Sequence, residues 1–165
     1  MINPLFQNLL VAINGSEASI QAAKYGILMA KCYHCTIKAV YVVDMATLKQ
    51  LTLSKFFIPE ESSEYERNLC QDGERYLEYV AALGLQKGIK VETELRKGAV
   101  WSQVITAADE MKASLILLGG YVQDALAQSS KRDAVSTSNH VIIANTPCSV
   151  LIVREKQIEQ LFKIG

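Results

Sequence analysis

Two stretches of this chain hold residue types that could do chemistry. Cys32-Tyr33-His34-Cys35 sets two thiols at the C-x-x-C spacing of a dithiol redox pair or half a zinc site. Leu115 to His140, LILLGGYVQDALAQSSKRDAVSTSNH, runs from an apolar stretch through Gly119 and Gly120 into a long polar segment. That segment carries Lys131 and Arg132 and ends in the hydroxyls of Ser136, Thr137 and Ser138. Glycines ahead of a hydroxyl-rich helix start suit a phosphate, because backbone N–H groups can approach its oxygens and the helix end adds unpaired donors. Asn14 and Gly15, just after an apolar run ending in Ala12 and Ile13, form a second turn of the same kind.

The cysteine pair falls at the C-terminal end of a helix, where the helix dipole disfavours a thiolate. Zinc needs further ligands, and the sequence has no second C-x-x-C or paired histidine. Cys32 and Cys35 therefore read as small packing residues around a helix-to-strand turn, with thiol redox or metal chemistry as an alternative. Cys70 and Cys148 stand alone without a neighbouring base and read as buried thiols. His140 is expected to face solvent, and Trp101 to belong to the core or a subunit contact. No Ser/His/Asp order, acidic pair or H-E-x-x-H spacing offers a catalytic constellation, so enzymatic activity and a resident metal are not expected.

The elements that position these residues follow from apolar periodicity. NLLVAI, TIKAVYVV, SLILL and SVLIV are short runs with little polar alternation, as in parallel strands covered on both faces, whereas KVETEL alternates and belongs at a sheet edge. Ser16 is placed to cap a helix running to about Cys32, with Ala23, Ile27 and Ala30 on one face. Ser63 and Glu66 have capping-box spacing ahead of a helix through Leu69, Gly73, Leu77, Val80 and Gly84 that ends near Gly88. The preceding stretch, Asp44 to Ser62, is long for a connection and is expected to hold a short helix or lid. Trp101, Val104, Ile105, Ala108 and Met111 recur at helical spacing, and a last helix is expected over about Thr137 to Asn145. Alternating strands and helices imply an α/β fold with an open five-stranded parallel sheet, doubly wound and Rossmann-like. Ligands of such sheets sit at the carboxyl ends of the strands where strand order reverses, which brings Asn14, Val42 and the Gly119 loop around one crevice.

A chain of 165 residues fits one domain, here 1–165, with a core over about 8–154 and a tail over 155–165. The 17 basic and 17 acidic residues are intermixed, so no field favours nucleic acid or an anionic membrane. The apolar runs fall short of a membrane span, and MINPLFQN has no signal-peptide pattern, so a cytoplasmic protein is expected.

In this order, LLVAINGSEAS, AVYVVD, ASLILLGG and TPCSVLIV resemble the universal stress protein family from about Asn8 to Arg154. The resemblance implies strand order 3-2-1-4-5, a homodimer, and one of two branches. One branch binds ATP through a loop of the form G-x-x-G-x9-G-S/T after the fourth strand; the other lacks that loop. On this pattern Gly119 matches the first glycine, but Val122 and Ser136 replace the other two, Thr137 matches the Ser/Thr, and the interval is about four residues longer. A side chain in a left-handed bend costs ~1–2 kcal/mol, and a β-branched valine suits it poorly. Where ATP-binding relatives generally carry an acidic residue, this sequence has Asn14, a weak ligand for a hard cation.

The leading expectation is a non-catalytic dimer acting through an unknown protein partner, with weak or absent nucleotide binding. The alternative is an ATP- or AMP-binding sensor using Ala12, Asn14, Val42, Gly119, Gly120, Ser136, Thr137 and Ser138, with the segment Tyr121 to Val135 closing over the phosphates. The last strand (Val150, Leu151, Ile152, Val153) is apolar throughout, and at a sheet edge it needs a cover, which a two-fold partner strand provides. Ile158, Leu161 and Phe162 form a short amphipathic tail free to dock on either subunit.

Overall fold

Burial on both faces makes the uncharged apolar runs the centre of a sheet. The computed structural model describes residues 4–54, 58–120 and 138–165. Five parallel strands, β1 (Asn8–Ile13), β2 (Thr36–Asp44), β3 (Val91–Gly98), β4 (Leu115–Gly119) and β5 (Ser149–Val153), lie in the order β3-β2-β1-β4-β5. Strand order reverses between β1 and β4, where Val11 is in register with Leu117. The helices are α1 (Glu17–Tyr33), α2 (Met45–Leu53), α3 (Pro59–Gln86), α4 (Val100–Glu110), α5 (138–145) and α6 (Ile158–Ile164). None of the described helices is long and apolar enough to cross a membrane.

Alternate strand residues feed two cores. On one face Leu9, Val11, Ile37, Tyr41 and Leu117 meet Ile27 of α1, Leu77 and Val80 of α3 and Phe162 of α6. On the other, Leu10, Val40, Ile116 and Leu118 meet Val104, Ala107 and Ala108 of α4 and Ile142 of α5. Removing one such fully buried leucine costs about 2–5 kcal/mol, so the two central strands are the least negotiable part of the frame. The expected doubly wound α/β fold and its strand order are the ones found.

Some local readings need correction. Helix α3 starts at Pro59, so Ser63 and Glu66 lie inside it. Proline occupies the first helical position, where its missing donor costs nothing, and Glu61 accepts the Ile58 N–H at 3.2 Å. Ser63 Oγ instead donates back to Pro59 O, and Glu66 accepts from Lys97 Nζ at 2.9 Å. The Asp44 to Ser62 stretch contains α2, capped by Asp44 on the Thr47 N–H at 3.0 Å. Trp101 is not core: it is 42% exposed, and the buried stripe of α4 runs through Val104, Ala107 and Ala108. Cys32 is exposed rather than packed, while Cys35 is partly buried with Sγ 3.2 Å from Phe6 O.

The sheet's two edges differ in kind. On β3, Arg96 pairs with Glu94 and Glu110, Glu94 with Lys38, and Lys97 with Glu66. Arg96 is held charged because its hydrogen-bonded carboxylates outweigh the cost of burial. Strand β5 has no ionisable side chain, and its Val150, Leu151 and Ile152 are only partly buried. After it, α6 folds back on the chain's own α1: Ile158 and Phe162 are buried, and Lys24 Nζ grips both Glu159 oxygens at 2.6 and 2.7 Å. Leu161 stays exposed, off the docking face.

Candidate functional site

At the carboxyl ends of β1, β2 and β4 the sheet opens into a crevice of about 200 Å³. Its existence depends on how closely α1 approaches β4. A Cβ on Gly119 would fall 2.6 Å from the Ala18 carbonyl carbon, so glycine is what lets the start of α1 lie against the end of β4. The floor is apolar, made by Val40, Val42, Val104, Leu118 and Ile142.

The rim is built from the β1–α1 turn, and one network fixes it. Gly15 takes a left-handed φ of 81° that turns the chain. Asn14 Oδ1 then accepts from the Ser16 N–H at 3.0 Å and from Ser16 Oγ at 2.6 Å. Ser16 Oγ caps α1 by accepting the Ser19 N–H at 3.1 Å, while Ser19 Oγ donates to Ser16 O at 2.8 Å and accepts the Asn14 N–H at 3.3 Å. A main-chain N–H can only donate, so the Asn14 atom facing Ser16 must be the carbonyl oxygen. Its Nδ2 is left over, without a partner among the described residues.

A second amide closes the other side. Asn139 Nδ2 donates to Gly119 O at 3.2 Å, tying the start of α5 to the end of β4. The same reasoning fixes its orientation, because a carbonyl can only accept, and Asn139 Oδ1 is left without a partner among the described residues. Among the described residues the crevice thus offers an amide donor and an amide acceptor without partners above an apolar floor. None of its described lining residues is ionisable.

Of the residues expected at this site, Ala12, Asn14, Val42, Gly119 and Ser138 line the crevice together. Gly120 lies beside it with its N–H already given to Val153 O at 2.8 Å; a Cβ there would meet that oxygen at 2.3 Å, so this glycine serves the packing of β4 on β5. Ser136, Thr137 and the segment Tyr121 to Val135 lie outside the described residues. Sequence reading treated Ser16 only as a cap and passed over Ser19 and Asn139. The N-x-S-x-x-S spacing from Asn14 to Ser19 was the available signal for the first two; an asparagine in a helix's first turn has too many ordinary uses to single out Asn139.

The C-x-x-C pair lies away from this crevice and is dithiol in form. Burial pushes the Cys35 thiol up from its usual range, opposite to what a nucleophilic or metal-binding thiolate needs. Among the described residues no cluster of three or more His, Cys, Asp or Glu is arranged to hold a metal ion.

Residues 5–154 match the model of the universal stress protein family. The chain belongs to that family. A universal stress protein of Methanocaldococcus jannaschii is 27% identical over 157 residues, covering 94% of this chain and 86% of the relative. Among solved structures, the universal stress protein UspA of Lactobacillus plantarum has 20% identity and a TM-score of 0.73, with 92% of this chain and all of that chain (100%) covered. Two further universal stress proteins of this fold were solved with nucleotides. One is a complex with cAMP (17% identity, TM-score 0.62, 92% of this chain and 99% of that one). The other is the Archaeoglobus fulgidus protein with dAMP (12% identity, TM-score 0.57, 92% and 100%).

Proposed function

We propose that this universal stress protein is a non-catalytic cytoplasmic dimer that acts through a protein partner, and that its crevice takes an adenine mononucleotide weakly and without a metal ion. One observation carries the reading. Asn14 Oδ1, at the position where a cation-binding carboxylate is expected in ATP-binding relatives, is already engaged by Ser16, so the turn presents a donor. A donor suits a ribose or phosphate oxygen and repels a divalent cation. The apolar floor suits a purine, and cAMP and dAMP bound to two proteins of the same fold support the ligand class. The reading with a triphosphate held under Tyr121 to Val135 rests on residues outside the described ones. The thiol redox reading is disfavoured by the raised Cys35 pKa.

The dimer is proposed through β5, because an uncharged edge strand invites pairing while the ion-paired β3 edge resists it. Ile152→Lys should weaken the dimer by ~100-fold or more by burying an unpaired charge, read by sedimentation equilibrium. Unchanged association would remove β5 from the interface.

Trp101, the chain's only tryptophan, is next to crevice-lining Val100 and gives a fluorescence readout of binding. Asn14→Asp should make ATP binding magnesium-dependent, because the second carboxylate oxygen is then free to ligate the cation. If the variant binds ATP identically with and without magnesium, Asn14 is not at the phosphate end of the ligand.

A further inference from the structure

We infer that Tyr76, on the far side of the sheet from the crevice floor, is a positioning residue that sets where Asn14 stands. The inference rests on the proposed nucleotide site for its ligand readout but not for its geometry. Helix α3 lies on the α1 face of the sheet, and at Gly73 it touches β2 and β3 directly: a Cβ there would fall 2.6 Å from Tyr41 Cδ1 and 2.7 Å from Leu95 Cδ1. One helical turn on, Tyr76 stacks on Tyr41 with ring centroids 6.2 Å apart and planes at 10°. The same ring meets the β1–α1 turn. A Cβ on Gly15 would sit 2.7 Å from Tyr76 Cε2 and 2.9 Å from Cζ, so the ring lies flush against the glycine between Asn14 and Ser16.

The consequence is mechanical. Tyr41 precedes Val42 and Gly15 follows Asn14, so one turn of α3, Gly73 to Tyr76, fixes two crevice-lining segments relative to each other without entering the crevice. Gly15 is left-handed and has no side chain to anchor it, and the tyrosine ring is the nearest wall on that side of the turn.

The test compares Tyr76→Ala, Tyr76→Phe and Leu83→Ala, the last a buried residue of the same helix packed in the same core but far from Gly15. Two readouts are taken: the Asn14 side-chain amide resonances of the ligand-free protein, and AMP affinity from Trp101 fluorescence. Tyr76→Ala is expected to move the Asn14 amide signals and weaken AMP by about tenfold, while Tyr76→Phe, which keeps the ring, stays within about twofold. Leu83→Ala is expected to lower stability and change neither readout. Unmoved Asn14 signals in Tyr76→Ala overturn the inference, as does an equal shift in Leu83→Ala. If wild-type protein takes no AMP while the Asn14 signals still move, the nucleotide reading falls and the brace stands.

Discussion

Asn8 opens the six-residue strand β1 and Asn14 directly follows its last residue, so the same side chain stands at both ends with different duties. Asn8 spends its amide completely: Nδ2 donates to Met111 O at 3.1 Å and Lys112 O at 3.2 Å, and Oδ1 accepts from Thr36 Oγ1 at 2.7 Å. Its backbone is drawn into the same knot by Ser114, whose N–H and Oγ both donate to Asn8 O. Asn14 spends only its oxygen and keeps a donor in hand. Asn14 is exposed, so its leftover Nδ2 stands open to water or a ligand at the carboxyl end of the sheet, where ligands of such folds sit, at no cost of burial.

That contrast can be broken experimentally. The largest effect is expected for Asn8→Ala, which removes three side-chain hydrogen bonds across β1, β2 and the α4–β4 turn. It should lower stability by about 2–3 kcal/mol in urea denaturation and leave AMP affinity unchanged. Asn14→Ala should cost less, ~1 kcal/mol, as it removes one brace of a cap whose Ser16–Ser19 bond survives. It should nevertheless weaken AMP by about five- to tenfold, the worth of one polar contact. Stability and affinity thus change places between the two ends of the strand.

The smallest effect concerns pH. Near the Asn8 end, Cys35 contacts Phe6 O and its thiol pKa is raised by burial. A raised folded-state value means the folded chain holds that proton more tightly, so the contribution is complete below the ordinary thiol range. It is lost as pH climbs from about 8.5 through the raised value. Urea midpoints should therefore fall slightly as pH rises above the ordinary thiol range, and less so in Cys35→Ala. None of the described residues lining the crevice is ionisable, so those residues themselves add no pH dependence to AMP binding over the same range.

Sequence reading served the two ends unequally for physical reasons. Strands β1 and β5 were legible to the residue and β4, read as Ser114 to Leu118, to within one residue of its Leu115–Gly119 bounds, because each is an unbroken apolar run. The start of α3 was not, since Pro59 with Glu61 does the work of a capping box without its residues. Trp101 misled because an apolar side chain next to a buried stripe reads as part of it until the helix is seen in place. At the crevice, Asn14, Val42 and Gly119 could be assigned from topology alone. The direction of the Asn14 amide could not, because it depends on which atom faces the Ser16 N–H. Gly120 looked like half of a phosphate-binding pair, but its N–H belongs to Val153, a partner more than thirty positions away in the chain.

The most direct measurement is calorimetric titration of the purified protein with AMP and with ATP, each with and without magnesium. The account predicts dissociation constants of ~100 µM or weaker that do not change when the cation is added. Micromolar ATP binding that appears only with magnesium would contradict it, because Asn14 Oδ1 is already engaged by Ser16 and the amide's remaining atom is a donor, which does not ligate a cation.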